Sequence, residues 1–226
     1  MKAAEYCDWV EQQDRIRKHQ CRGIPVVEDE APLVSLEGTR CSLMFEPSIV
    51  EDYAYLVRAA VFDKVERIGA RLEKEDKVLI IRSAWRSFAH QRLIWDNRIV
   101  ALRREHPEIH ETELRRMAAY FIAPETKSMH VTGGALDALI FDVEANCVLD
   151  FGANDGLQIT LGRRCYPDHP DISAQAKKNR ELLIGLFDDE GFVCDLKEFW
   201  HFDYGNVSWA SVKGEPHAIY GAFEAR

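Results

Sequence analysis

What this 226-residue chain lacks narrows its function before any motif is read. It has no excess of positive charge. Its 38 acidic and 29 basic side chains leave it at −9, so neither nucleic acid nor an anionic membrane surface is expected as a partner. No stretch approaches the roughly 18 apolar residues of a spanning helix. The six cysteines, at 7, 21, 41, 147, 165 and 194, never form a CxxC pair. That argues against a cysteine-rich metal module and fits reduced thiols. The helical HExxH pattern is absent as well. The opening residues, Met1-Lys2-Ala3-Ala4-Glu5-Tyr6, carry no apolar leader. The cytoplasm is therefore the expected location, with the periplasm left open if a leader has been removed. No Pro/Gly/Ser-rich linker, repeat or low-complexity tract divides the chain, and 46% hydrophobic residues supply one substantial core.

The elements can be read from apolar spacing. Residues 5–19 read as a short helix or ordered arm, and Gly23 to Leu43 as loops and brief strands. Pro47-Ser48 is expected to open a long amphipathic helix from Ile49 to about Glu75, with Val57, Val61, Val65, Ile68 and Leu72 on its inner face. Lys77–Ser83 is a β-branched run suited to a buried strand, followed by helices from Phe88 to about Arg104 and from Glu111 to Phe121. Ala135–Phe141 and Asn146–Leu149 read as strand and return strand, and 151–172 as a long loop. Ser173 is placed as the cap of a helix ended by Gly191, with Lys177-Lys178-Asn179-Arg180-Glu181 on its wet side. Phe192–Cys194 and Phe199–Tyr204 form a hairpin. Helices dominate first and strands later, without regular βαβ alternation, so the fold class expected is α+β, helices packed on a mainly antiparallel sheet.

Chemistry concentrates in Ser128-Met129-His130-Val131-Thr132-Gly133-Gly134-Ala135-Leu136-Asp137 and in Glu198-Phe199-Trp200-His201. On one helix, His130 and Asp137 would be about 10 Å apart in rise, too far to share an ion. A glycine turn leading into a strand brings them together. With His201 they make two imidazoles and a carboxylate, which leaves the fourth position of a tetrahedral zinc free, as a catalytic rather than structural site requires. Glu198 is then the free carboxylate beside it and the candidate general base. Alternation puts His201 and Asp203 on one strand face. Arg86, on the turn after the Lys77–Ser83 strand, can aim at the same place and share oxyanion charge. Each has a plainer reading: a hydrogen-bonded core histidine, a structural acid, an exposed turn glutamate, an arginine paired with a nearby carboxylate.

The order Ser128-x-His130-x-x-Gly133-x-Ala135-x-Asp137, then Glu198-x-Trp200-His201, with Arg86 and Gln91 after a short strand, resembles the zinc D-alanyl-D-alanine dipeptidases of the vancomycin-resistance type. The resemblance spans roughly residues 77–205. It implies the α+β fold shared by D,D-carboxypeptidases and hedgehog-type domains. It also implies one zinc ion on His130, Asp137 and His201, with Glu198 as general base. Arg86 would stabilise the transition state and help hold the substrate, as would Ser128. The implied partner is a small peptide such as D-Ala-D-Ala. Ser87 departs from the family's proline. Gly156 stands where the family carries an acid, with Asp155 shifted by one, so longer peptidoglycan peptides stay open as substrates, cleaved by D,D-carboxypeptidase or endopeptidase action. A non-catalytic zinc-stabilised binding domain is the third reading, and Glu198 counts against it. We expect a single metallopeptidase domain over 1–226, an N-terminal arm and loops over 1–46 and a catalytic core over 47–226. Oligomeric state is left open.

Overall fold

The computed structural model describes residues 1–120, 122–153 and 164–224. Its elements in chain order are α1 (Ala3–Cys21), β1 (Leu33–Ser35), β2 (Leu43–Phe45), β3 (Leu56–Arg58), α2 (Ala59–Glu73), β4 (Lys77–Ser83), α3 (Phe88–Glu105) and α4 (Glu111–Ala118). The second half holds β5 (Ala135–Asp142), β6 (Cys147–Val148), α5 (Ala174–Asp189), β7 (Val193–Cys194), β8 (His201–Asp203) and α6 (Val207–Lys213). Among the described residues one sheet runs in the order β2-β4-β5-β8-β7, with β6 on the far end of β5, and a second pairs β1 with β3. Only the β2–β4 pair of the main sheet is parallel. The α+β architecture expected from the element order is thus present.

The helices lie where apolar spacing demands. In α2, Val61, Val65, Ile68 and Leu72 are all buried against the sheet strands Leu79, Ile81, Leu136 and Ile140 as one cluster. From the N-terminal helix, Tyr6, Cys7 and Val10 join the same cluster. The pair α3–α4 closes a small satellite core of Ile99, Leu102, Leu114 and Ala118. No helix of the described residues is long and apolar enough to cross a membrane, and none of the six cysteines forms a disulfide among the described residues.

Two sequence expectations need correction. The helix drawn from Ile49 is not one element: residues 49–55 are irregular, Leu56–Arg58 is β3, and the helix begins at Ala59. Ser48 spends its hydroxyl on a local turn by accepting from Val50 N, and Asp52 adopts φ +57, which no helix tolerates. Tyr53 then reaches across, donating to the Trp85 carbonyl at 2.9 Å and accepting from Ala84 N at 2.8 Å. The second correction concerns Arg180, expected on the wet side of α5, and its neighbour Asn179: both are buried. Position 180 falls on the stripe of Ala176, Leu183 and Phe187, so helix geometry carries it inward whatever its charge. Of the two remaining helix and loop readings, Phe121 and residues 154–163 of the 151–172 stretch lie outside the described residues. The described ends of that stretch, 151–153 and 164–172, contain neither helix nor strand.

Candidate metal centre

Three strands carry the centre in one row. Asp137 on β5 stands opposite Ser83 on β4 and opposite His201 on β8. Residues directly opposite in a ladder share a face with side chains about 4.5–5.5 Å apart at Cβ, so the register alone brings these three together. The ladder is irregular between Ile81 and Ser83, the point where β4 turns towards Arg86. His130 arrives from a short 3₁₀ turn, Met129–Thr132, that ends at Gly133 with φ +72. A side chain at Gly134 would clash with the Tyr204 carbonyl. One glycine supplies the left-handed backbone and the other lets β5 approach its neighbour.

The donor atoms of His130, Asp137 and His201 all lie within 4.8 Å of one another, in a buried setting. His130 Nδ1 is 2.9 Å from the Ala84 carbonyl, which can only accept. The ring therefore donates there and turns a bare Nε2 to Asp137 Oδ2, 3.3 Å away. His201 turns Nδ1 to Asp137 Oδ1 at 2.9 Å, while its Nε2 faces Asp203 Oδ1 at 3.2 Å. Asp203 is itself fixed by Asn206, whose Nδ2 donates at 2.6 Å from the cap of α6. A backbone carbonyl behind one imidazole and a carboxylate behind the other is the usual outer support of metal-binding histidines. Imidazole nitrogens and a carboxylate oxygen are ligands that suit zinc, and the convergence of three such donors fits an ion of that kind.

Charge explains the titration of the group. Burial alone would raise the Asp137 carboxyl, yet the two imidazoles hold it well below the usual range. Burial and the Arg86 charge push His130 down to about 4, so it is neutral near pH 7. Burial works against a charged His201, but Asp203 and Asp137 outweigh it and raise that imidazole well above its ordinary value. Without an ion the cluster thus keeps a proton that a bound cation would displace.

Around this group the cleft, about 900 Å³ in volume, is lined by Arg86, Ser128 and Glu198 among others. All six residues singled out in the sequence therefore meet in one place. Arg86 spends each guanidinium nitrogen differently: Nε donates to Ser83 Oγ at 2.8 Å, Nη1 to Gln91 Oε1 at 3.1 Å, and Nη2 to Asp137 Oδ2 at 3.1 Å. The plain reading of Arg86, pairing with a nearby acid, is met too, but the acid is Asp137 itself. Ser128 is buried at the entry to the 3₁₀ turn. Glu198 lies in the turn before β8, where its carbonyl accepts from His201 N. Burial, then Asp195, push its carboxyl up to about 8. Asp155 and Gly156 lie outside the described residues. Asp203, Asn206, Ser83 and Tyr53 escaped the sequence reading as supports. For Asp203 the signal was present, two residues past His201 on the same strand face.

A buried His–Asp–His donor set, a free carboxylate in the adjoining turn and a fixed guanidinium, carried on an α+β sheet, define the class of the metallopeptidases. Residues 54–214 match the Peptidase_M15 family, D-ala-D-ala dipeptidase, and the chain belongs to that family. It is 32% identical over 84 residues to the D-alanyl-D-alanine dipeptidase of Escherichia coli, covering 37% of this chain and 42% of that protein. Identity to the D-alanyl-D-alanine dipeptidase of Synechocystis sp. is 25% over 241 residues, covering 89% of this chain and 95% of that one. Among solved structures, the LdcB LD-carboxypeptidase is similar at 18% identity and a TM-score of 0.47, over 82% of this chain and 76% of its own.

Proposed function

We propose that the protein hydrolyses the peptide bond of D-Ala-D-Ala or a closely related small dipeptide, using one zinc ion held by His130, Asp137 and His201. The observation that carries this reading is the row Asp137–His201 across β5 and β8 with His130 closing on it, in a chain of this family. A zinc ion there would supply Lewis acidity and an acidified water. The chain's own residues do the rest. Glu198, with its carboxyl raised to about 8, is a stronger base than an ordinary carboxylate, and in its ionised form it takes a proton from the attacking water and returns it to the leaving amine. Arg86, fixed by Ser83 and Gln91, offers a rigid cation for the charge that develops on the carbonyl oxygen. His130 and His201 keep their orientation through Ala84 and Asp203. Ser128 is assigned to substrate.

The departure at Gly156, together with a cleft of this size, favours a second substrate class, longer peptidoglycan peptides. Incubating the zinc-loaded protein with D-Ala-D-Ala and with a muramyl pentapeptide separates the two. Release of D-alanine from the dipeptide is the expected result; turnover of the pentapeptide alone would replace the dipeptidase reading with a D,D-carboxypeptidase.

A further inference from the structure

The N-terminal helix brings to the cleft a cation with a donor nitrogen that meets no partner among the described residues. Asp14, Arg17, Lys18 and Cys21 recur at three- and four-residue spacing and share the face of α1 that lines the cleft. Both ends of this row are fixed beside the centre. Asp14 lies 3.3 Å from Lys197 Nζ, next in sequence to Glu198, and 2.9 Å from Lys18. Cys21 Sγ lies 3.5 Å from the Val207 carbonyl, adjacent to the Asn206 that holds Asp203. Arg17 sits between those two anchors. Burial raises the thiols of Cys21 and Cys194, and the Arg17 charge pulls against it in both; Cys194 Sγ lies 3.8 Å from the Glu198 carbonyl.

Arg17 Nη1 is shut off from solvent and meets no acceptor among the described residues. The other half-buried arginines of the cleft have theirs: Arg82 holds Glu46 at 2.6 Å, Arg86 holds Asp137, and Arg98 lies 3.6 Å from Glu105. Asp14, the acid one turn away, is already shared by two lysines. Arg17 as a whole is only half-buried and lines the cleft, so its guanidinium has donor capacity that an acceptor entering the cleft can use. Glu46, Asp195 and Glu198 also line the cleft, so an anion entering it needs a dedicated cation.

We propose that Arg17 receives the C-terminal carboxylate of the peptide substrate. This rests on the hydrolytic reading above and adds to it the group that reads the free end. A substrate whose last residue is released carries that carboxylate, and a guanidinium meets it with two parallel N–H donors. Zinc-loaded wild type, Arg17→Lys and Arg17→Met are compared on D-Ala-D-Ala and on its C-terminal amide by turnover. Calorimetric binding is measured as well, with Glu198→Gln in place so that nothing is cleaved. Arg17→Met is expected to raise KM and Kd for the free acid about 10- to 100-fold with kcat within about threefold, and Arg17→Lys to fall between. Both should bind the amide as wild type does, with zinc content and Tm unchanged. An undiminished affinity for the acid, or equal losses for acid and amide, overturns the assignment. If wild type cleaves neither peptide the hydrolytic reading falls, and the binding comparison still decides for or against Arg17. Absence of binding by every form removes the role as well.

Discussion

Asp137 and Arg180 are both buried charges, yet their surroundings differ in kind. Arg180 is fully satisfied by its own chain. Its Nε and Nη2 donate to the Phe151 carbonyl, Nη2 also to Arg164, and Nη1 to Tyr166 at 2.6 Å and Pro167 at 3.1 Å. Its plane lies 4.1 Å over the Phe199 ring. Every acceptor is a neutral carbonyl, and burial lowers the guanidinium only to about 10, so it stays charged at neutral pH. Around Asp137, by contrast, three imidazole nitrogens and two acid groups face one another with Arg86 hydrogen-bonded to Asp137. Burial of polar groups is common to both regions and marks neither as functional. The discriminating property is whether the protein completes the set by itself.

That contrast can be broken from either side. Glu198→Ala should keep the bound zinc and lower kcat by about 10²- to 10⁴-fold, read by elemental analysis and D-alanine release. Turnover at the wild-type rate in that variant would remove Glu198 from the mechanism. Arg180→Met should do the reverse. Orphaning the carbonyls of Phe151, Arg164, Tyr166 and Pro167 is expected to cost about 3–5 kcal/mol in chemical denaturation. What remains folded should still bind zinc through His130, Asp137 and His201. An equal loss of zinc affinity would mean that the two regions are one unit. Arg86→Ala is expected to raise the barrier by about 2.7–4 kcal/mol, seen in kcat rather than in zinc content.

The smallest effect is a pH dependence at the rim. Burial, then the Arg86 charge, lower His90 from its ordinary 6.5 to about 4. The unfolded chain therefore takes up a proton below about pH 6.5 that the folded protein refuses until about pH 4. Stability linked to His90 is complete above pH 6.5 and is lost as pH falls through that window, by about 2–3 kcal/mol. His90→Gln should flatten the stability profile between pH 6.5 and 4 in denaturant titrations; an unchanged slope there would show that His90 is not the titrating group.

Much of the site could be read along the chain because its residues have strict local duties. Two glycines after His130, a β-branched run before Arg86 and alternation through His201 each fix a backbone shape, and those shapes converge. The α+β class followed from the order of elements for the same reason. The misreadings share a different cause. Ile49 to Glu75 keeps apolar spacing through a segment whose true fate is set by partners far away, the Trp85 carbonyl and Ala84 N that hold Tyr53. Arg180 looked wet because its charge was weighed and its position on the Ala176–Leu183–Phe187 stripe was not. The carbonyls that solvate it come from residues 13 to 29 positions away. Arg17 was invisible for a similar reason: nothing in a helix of mixed polarity tells which basic residue faces a cleft formed by the other end of the chain.

The pairing of Asp137 with His201 joins residues 64 positions apart. A growing chain that has emitted His130 and Asp137 still lacks His201, and the three meet only when β8 pairs with β5. The buried cluster is therefore assembled by the same late pairing that completes this part of the sheet.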